Sequence, residues 1–277
     1  MKKTLNIGGR LLDLSIPQVM GILNITPDSF FSGSRAMQMD DVYKKSERML
    51  SEGASILDVG GHSTRPGAEA VSENEELKRV LPVVAMLRKR FPEAIISIDT
   101  FRSIVAKQAV AAGAHIINDI AGGNLDPKMF EIVATLQVPY ILMHSRGTPQ
   151  TMKDLNQYDD LVTDVLRELQ AKIYQLHQLG IKDIVADLGF GFAKNADQNY
   201  LLLRQLKDFH VLDVPLLVGV SRKSMIWRTL DITPEQSLNG TTVLNTVALL
   251  NGAAILRVHD VKEALEAIKL VKLLFEK

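Results

Sequence analysis

Short apolar segments alternate with longer amphipathic segments along the whole chain. Within the short segments several hydrophobic residues are consecutive, a pattern typical of parallel strands buried on both faces. On this basis we predict eight strands, at Gln18–Leu23, Ser55–Val59, Ala94–Ile98, His115–Ile117, Val138–Met143, Asp183–Ala186, Val214–Val220 and Ala253–Val258.

The segments between these strands have the amphipathic pattern of helices that bury one face. We predict helices at Asp40–Gly53, Glu73–Arg90, Ser103–Ala112, Pro127–Leu136, Tyr158–Leu179, Asp197–Asp208, Pro234–Asn251 and Val261–Glu276. Local signals support several of their ends. They are a possible capping box at Ser72 and Glu75, an N-cap at Asp126 before Pro127, an N-cap at Asp260, and C-terminal glycines at Gly53, Gly113 and Gly180.

Eight strand–helix units in 277 residues favour one closed (β/α)8 barrel, the TIM-barrel fold, as a single domain over residues 1–277. A doubly wound open sheet is the alternative, and the strand count alone leaves it open. Before the first predicted barrel strand, Leu5–Ile7 and Leu11–Leu14 flank a Gly-Gly pair, which predicts a short β-hairpin. We expect this hairpin on the floor of the barrel, away from the chemistry.

The charge balance narrows the classes of partner. Lys plus Arg and Asp plus Glu both number 32, so nothing suggests a nucleic-acid binder or a membrane-surface protein. The chain has no cysteine, which excludes disulfides and thiolate metal sites and fits a reducing compartment. It also lacks an apolar run long enough for a signal peptide or a membrane span. We therefore expect a cytoplasmic protein.

Polar residues follow every predicted strand. In chain order they are Asn24, Gly60 with Thr64 and Arg65, Asp99, Asn118 with Asp119, His144, Asp187, Ser221 to Lys223, and Arg257 with His259. In a barrel these ends meet on one face, where active sites lie. Each residue alone also has a structural explanation: Asp99 as a helix N-cap, Asn118 and Asp119 in Asx turns, and His144 as a hydrogen-bonded residue near the core.

Several catalytic signatures are absent from the sequence. It has no HExxH zinc motif, no GxSxG serine elbow and no Walker A loop. A Gly-x-Gly occurs at residues 189–191, but the rest of a dinucleotide-binding fingerprint does not follow it.

The order of motifs resembles the dihydropteroate synthases over nearly the whole chain. Residues 24–30 (NITPDSF) and 58–67 (DVGGHSTRPG) resemble the loops after the first two strands of that family. Segments around Asp99, Asn118, His144, Asp187 to Phe192, Ser221 to Ser224 and Arg257 to Val261 follow in the family's order. Ser32 and Leu188 depart from it, standing where the family usually has Asp and Pro.

The resemblance implies a pterin site. The carboxylate of Asp187 would accept two parallel N–H groups from the pterin edge, as it would from arginine. Asp99 and Asn118 would complete the hydrogen bonds of the ring, and Lys223 would hold the pterin carbonyl. The planar guanidinium of Arg257 would stack on the pterin and also meet pyrophosphate.

The remaining implied roles concern the leaving group and the second substrate. Asn24 would bind Mg2+ as a neutral oxygen ligand, and His259 would hold the pyrophosphate. The substrate-binding set further includes Thr64, Arg65, Pro66, Phe30, Phe190 and Ser224 around p-aminobenzoate, together with Met143. The resemblance assigns catalysis to Lys223, Arg257, His259, Asp99 and Asp187.

By this resemblance the chain is a transferase of folate biosynthesis and a sulfonamide target. It would join dihydropterin pyrophosphate to p-aminobenzoate with Mg2+ as cofactor, bind neither nucleic acid nor membrane, and form a homodimer through late helices such as Pro234–Asn251. Three alternatives remain open: a methyltetrahydrofolate methyltransferase, a non-catalytic pterin-binding paralogue, and a phosphate-binding barrel isomerase. The Thr-Pro-Asp and Ser-Thr-Arg-Pro loops favour the synthase.

Overall fold

A computed structural model of the chain describes residues 3–25, 35–62, 71–148 and 150–275. Eight parallel strands close into a barrel, so the open-sheet alternative is wrong. After a hairpin of β1 (Thr4–Ile7) and β2 (Arg10–Asp13), the barrel strands are β3 (Gln18–Asn24), β4 (Ile56–Gly60), β5 (Ile95–Asp99), β6 (Ile116–Asp119), β7 (Tyr140–Met143), β8 (Ile184–Asp187), β9 (Leu216–Val218) and β10 (Ile255–Val258). Strand β10 pairs with β3 and closes the ring.

Two prolines explain why two strands start later than predicted. Strand β7 begins directly after Pro139, and β9 begins directly after Pro215. Proline has no N–H to donate to a neighbouring strand, although its carbonyl still accepts a bond. Accordingly, the carbonyl oxygen of Pro139 accepts from the backbone N–H of Ile117, and that of Pro215 accepts from Ala186.

The hairpin closes the floor of the barrel, as predicted. Gly8 and Gly9 both have positive φ (57° and 92°), which a two-residue turn between antiparallel strands of this kind requires. A cluster of buried side chains joins the hairpin to the early residues of the barrel strands. Its members are Leu5, Ile7, Leu14, Met20, Ile56, Ile95, Ile116, Ile141, Val185, Leu217, Ala254 and Ile255.

Helices surround the barrel and bury their apolar faces against it. They are α1 (Arg35–Ser51), α2 (Glu73–Arg90), α3 (Ser103–Ala111), α4 (Met129–Leu136), α5 (Leu161–Gln178), α6 (Ala196–Arg204), α7 (Ser224–Trp227), α8 (Leu238–Leu250) and α9 (Val261–Leu273). The three predicted terminal glycines have positive φ, as a C-terminal cap requires. None of the helices in the described ranges is long and apolar enough to cross a membrane.

Some predicted helix ends were wrong because side chains form other bonds. The helix expected to start at Pro127 starts at Met129. The carboxylate of Asp126 is shared: Oδ1 accepts from the backbone N–H of Lys128 at 3.0 Å, and Oδ2 accepts from that of Ser103 at 2.7 Å. Asp126 therefore contributes to the start of α3. At α2 only half of the expected capping box forms: Ser72 accepts from the N–H of Glu75.

Other boundaries shift because the chain changes helix type. Residues Leu206–Leu212 and Pro234–Gln236 form 3-10 helices, so α6 ends at Arg204 and α8 begins at Leu238. Helix α1 begins five residues before the predicted Asp40. The predicted end of the last helix, Glu276, lies outside the described residues.

Candidate active site

The barrel brings the predicted strand-end residues to one rim. Neighbouring strands are in register there, so that Asn24 pairs with Gly60, Gly60 with Asp99, and Asp99 with Asn118. Across the ring, Asp187 ends β8 beside Met143 on β7. Because parallel strands end together, side chains from distant parts of the sequence face the same opening.

Arg257 on β10 is bound by two carboxylates. Its Nε donates to Asp58 Oδ2 at 2.7 Å, and its Nη2 donates to Asp99 Oδ2 at 2.5 Å. The same Asp58 oxygen accepts from Asn118 Nδ2 at 3.0 Å. Asp58 was assigned no role from the sequence, and it connects Arg257 to Asn118.

The charges in this cluster do not balance. One guanidinium donates to two carboxylates. Burial raises the pKa of Asp99 to about 7; the charge of Arg257 opposes this shift, and the charge of Asp58 adds to it. Burial would lower the pKa of Arg257, but the two carboxylates outweigh it and raise that pKa. Within the described residues, the buried Oδ1 of Asp58 has no hydrogen-bond partner. The cluster therefore has spare acceptor capacity for a ligand that carries N–H donors.

Asp187 and Lys223 form a second pair of opposite charges. Asp187 is 6% exposed and accepts from the backbone N–H of Gly189 at 2.8 Å. Lys223 donates to the carbonyl oxygen of Phe190, and its Nζ lies 4.9 Å from the ring centre of Phe192. Burial raises the pKa of Asp187, which Lys223 opposes. Burial lowers the pKa of Lys223 to about 8, which Asp187 opposes.

A third group lies where β9 and β10 end. Ser221 Oγ accepts from the backbone N–H of His259 at 3.2 Å and lies 3.0 Å from its Nδ1. If the hydroxyl donates to Nδ1, the ring hydrogen is on Nε2, which can then donate to an anion. Burial lowers the pKa of His259 to about 3, and Arg222 adds to this shift. The lowered pKa favours the neutral ring, which in the tautomer just described donates from Nε2.

The turn that presents this group depends on a strained arginine. Arg222 has φ of 56°, a left-handed conformation that is uncommon outside glycine. Its guanidinium donates two bonds to the carboxylate of Asp260, at 3.1 and 2.5 Å. Asp260 occupies the predicted N-cap position of α9, but no side-chain capping bond forms there. Its carboxylate stabilises the turn before Lys223 instead.

Two strand-end residues, Asp119 and His144, have the structural roles that the sequence offered as alternatives to ligand binding. Asp119 accepts from the backbone N–H groups of Ala121 and Gly123 at 2.8 and 2.7 Å, and from Tyr140 Oη at 2.7 Å. His144 is 2% exposed, and its Nε2 lies 3.0 Å from Glu168 Oε2. Both side chains are thus held by the fold around the site.

The remaining predicted residues differ in their placement. The Phe190 side chain is completely buried in the core, so its carbonyl oxygen is the part that meets Lys223. Met143 is buried at 2% exposure, and Ser224 is exposed at the start of α7. Four predicted residues of the p-aminobenzoate pocket lie outside the described residues: Phe30, Thr64, Arg65 and Pro66.

Asn24 is placed so that it can contribute one oxygen to a cation. A Cβ added at Gly60 would lie 3.6 Å from Asn24 Oδ1 and 3.5 Å from Asp99 Oδ2, so both oxygens border the same small space. Among the described residues no group of three or more acidic, His or Cys side chains forms a complete metal cage. Asp99 Oδ2 already accepts from Arg257, so within the described part of the chain Asn24 offers the one free oxygen here, and Mg2+ can take a single protein oxygen together with water and phosphate oxygens.

Comparisons with known proteins agree with this geometry. Residues 20–259 match the family of pterin binding enzymes. The chain is 46% identical over 266 residues to the dihydropteroate synthase of Escherichia coli, covering 95% of this chain and 94% of that protein. The dihydropteroate synthase of Yersinia pestis in complex with a sulfonamide drug is 45% identical, with a TM-score of 0.91 over 98% of both chains. That of Xanthomonas albilineans with 7,8-dihydropteroate is 37% identical, with a TM-score of 0.88 and the same coverage.

Proposed function

We propose that this chain, which belongs to the dihydropteroate synthase family, joins 6-hydroxymethyl-7,8-dihydropterin pyrophosphate to p-aminobenzoate. The products are 7,8-dihydropteroate and pyrophosphate, which makes the chain a transferase of folate synthesis. The observation that carries the proposal is the convergence of buried acceptors and cations on one rim of the barrel.

The buried carboxylates suit the pterin ring. A pterin edge presents parallel N–H donors, and the Asp187 carboxylate can accept two of them in the fork that it would offer to arginine. Asp99 on β5 and Asn118 on β6 offer further polar atoms from two adjacent strands of the same rim. Lys223 can donate to the pterin carbonyl, and the flat guanidinium of Arg257 can stack on the ring. Asp187 and Asn118 are the most buried of these groups, at 6% and 2% exposure.

The reaction then requires positioning more than acid–base chemistry. The neutral amine of p-aminobenzoate attacks the methylene carbon of the pterin and forms a C–N bond. The C–O bond to pyrophosphate breaks, its electron pair leaves with pyrophosphate, and the amine loses one proton. Pyrophosphate departs first and leaves a carbocation that the electron-rich pterin ring stabilises, so positioning the amine and stabilising the leaving charge supply the acceleration.

The anion end of the site lies at His259. Its neutral ring, with Ser221 bonded to Nδ1, can direct an N–H toward a pyrophosphate oxygen. Asn24 would hold Mg2+ through its side-chain oxygen, and the bound ion would offset negative charge on the departing pyrophosphate. Asn24 and His259 are both at the carboxyl ends of neighbouring strands, β3 and β10.

The helices α8 and α9 support a homodimer. They expose an unusual number of large apolar side chains: Val243, Leu250, Leu270 and Leu273, followed by Leu274 and Phe275. An exposed apolar face of this kind commonly marks an association surface. We assign it to a second copy of this chain. A cytoplasmic location accords with the absence of cysteine from the sequence.

The direct test is pyrophosphate release from purified protein given dihydropterin pyrophosphate and Mg2+. Release that requires p-aminobenzoate, with an equal amount of dihydropteroate, is the expected result. Lys223→Met should abolish most of this activity while the protein stays folded. Tight pterin binding without turnover would instead identify a non-catalytic paralogue.

A further inference from the structure

The loop after β8 folds around a buried ammonium that the reaction itself does not use. Lys194 is only 9% exposed, and its Nζ lies 3.2 Å from Gly189 O, 3.0 Å from Phe192 O and 2.9 Å from His144 Nδ1. An ammonium has three donors, and here it meets three acceptors. Burial lowers the pKa of Lys194 to about 7, and nearby Asp187 opposes that shift. The full set of acceptors favours the charged form.

The backbone of this loop can adopt its shape only with unusual conformations. Gly189, Gly191 and Ala193 all have positive φ, at 69°, 80° and 49°. A Cβ on Gly189 would lie 2.0 Å from the carbonyl oxygen of His144, so the two backbones are in direct contact. A left-handed alanine costs about 1 kcal/mol, and Tyr158 Oη bonds to its carbonyl oxygen at 3.0 Å. The loop is therefore held in place by bonds from outside itself.

His144 connects Lys194 to helix α5. Because Lys194 donates to Nδ1, the ring hydrogen is on Nε2 and is donated to Glu168 Oε2 at 3.0 Å. Glu168 also accepts from Arg146 Nε at 3.0 Å, and the guanidinium of Arg146 lies 4.0 Å from the ring centre of Tyr158. A continuous chain of charged and polar contacts thus runs from the loop to the outer helix.

The same loop makes two contacts inside the proposed pterin site. The N–H of Gly189 donates to Asp187 Oδ1 at 2.8 Å, and the carbonyl oxygen of Phe190 accepts from Lys223. Lys194 binds the carbonyls of residues 189 and 192, so one of these backbone groups belongs to the first attachment point and the other lies between the two. A shift of the loop would displace both the carboxylate and the ammonium that face the substrate.

We propose that Lys194 is a positioning residue of the pterin site. By tying the loop to His144, it fixes Asp187 and Lys223 at the separation that a bound pterin requires. The inference rests on the proposed function, because it takes the pterin as the ligand of this loop. Lys194 itself need not touch the substrate.

The main test is Lys194→Met, which removes the ammonium and keeps an unbranched apolar chain. The change leaves three buried acceptors without their donor and so lowers the free energy of unfolding, and binding is therefore measured on protein shown to be folded. We expect the Kd for dihydropterin pyrophosphate, measured by calorimetry, to rise roughly ten- to a hundredfold. In turnover the loss should fall on KM for the pterin substrate, because a merely destabilised enzyme loses active molecules and so loses kcat.

Lys172→Met is the matched control. Lys172 also donates to a loop carbonyl, Gly122 O, and to Asn124 Oδ1, both at 2.7 Å, but it serves the loop after β6. We expect its Kd for dihydropterin pyrophosphate to change less than about twofold. An equal loss in Lys172→Met, or a wild-type Kd in folded Lys194→Met, would overturn the proposal.

Two further variants distinguish failure of the positioning role from failure of the pterin assignment. Glu168→Gln weakens the far end of the chain of contacts and should raise Kd roughly threefold. If Lys194→Met does not fold, this variant decides, and a wild-type Kd in it overturns the proposal. Asp187→Asn tests the premise: a wild-type Kd there would refute the pterin assignment itself, whereas weak binding there and normal binding in Lys194→Met would refute only the positioning role.

Discussion

Of the changes in the site, Asp187→Asn should best separate an effect on pterin binding from an effect on folding stability. The carboxylate can accept two N–H groups from the pterin edge, whereas an amide offers one acceptor and turns an NH2 group toward a donor. A hydrogen bond to a charged group contributes about 1.5–3 kcal/mol. Losing one such bond and weakening the other predicts a loss of about 3 kcal/mol, or roughly a hundredfold in Kd for dihydropterin pyrophosphate.

The fold should tolerate this change. Burial raises the pKa of Asp187 above its unfolded value, so its ionisation at neutral pH works against folding, and that cost is absent below the unfolded pKa. The amide oxygen can still accept from the N–H of Gly189, which now lies 2.8 Å from Oδ1. We expect the melting temperature to stay within about 4 °C of the wild type.

Asp119→Asn is the matched control, because Asp119 also ends a barrel strand and is buried. Its oxygens accept from Ala121, Gly123 and Tyr140, and an amide cannot satisfy all three donors. This variant should lose about 2 kcal/mol or more of unfolding free energy with little change in Kd, measured by denaturant unfolding and calorimetry. Wild-type affinity in Asp187→Asn, or a loss of affinity in both variants, would refute the reasoning.

Three further predictions address the cations and the loop. Burial lowers the pKa of Lys223 to about 8, so its ammonium is lost as pH rises through that value, and kcat/KM should fall there. Lys223→Arg should move this fall in kcat/KM to higher pH, and an unchanged pH profile would assign the fall to another group. Asp58→Asn removes a carboxylate 2.7 Å from Arg257, and calorimetry should show pterin binding roughly tenfold weaker. Unchanged binding would show that Arg257 is oriented without the Asp58 carboxylate. Gly189→Ala places a Cβ 2.0 Å from the carbonyl oxygen of His144, so the free energy of unfolding measured with denaturant should fall by about 3 kcal/mol or more. A fall below about 1 kcal/mol would contradict this close approach.

The barrel could be predicted because its signal is local. Consecutive apolar residues identify strands buried on both faces, and parallel strands must end at the same edge, which brought Asn24, Asp99, Asn118 and Asp187 together. Helix ends were harder to predict, because they depend on which side chain accepts a hydrogen bond from each free backbone N–H group at the start of the helix. Asp126 illustrates this, since it bonds to the start of α3 from a distant loop.

The residues that the sequence did not assign depend on partners far along the chain. Asp58 had a usable signal: a carboxylate in an otherwise apolar strand needs a buried partner, and that partner is Arg257. Lys194 had none, because one of its three acceptors is His144 Nδ1, which belongs to another strand–helix unit. No periodicity distinguishes such a lysine from an exposed one.

In the proposed reaction the pterin carbon transfers from pyrophosphate to the amine of p-aminobenzoate. The most direct measurement uses dihydropterin pyrophosphate labelled with 18O at the oxygen that joins the methylene carbon to phosphorus, with mass spectrometry of both products. We predict that the label leaves entirely in pyrophosphate and that dihydropteroate forms in equal amount without it, because the bond that breaks is the one between the methylene carbon and oxygen. Label retained in hydroxymethyl-dihydropterin, with no dihydropteroate, would show cleavage at phosphorus and would contradict the account.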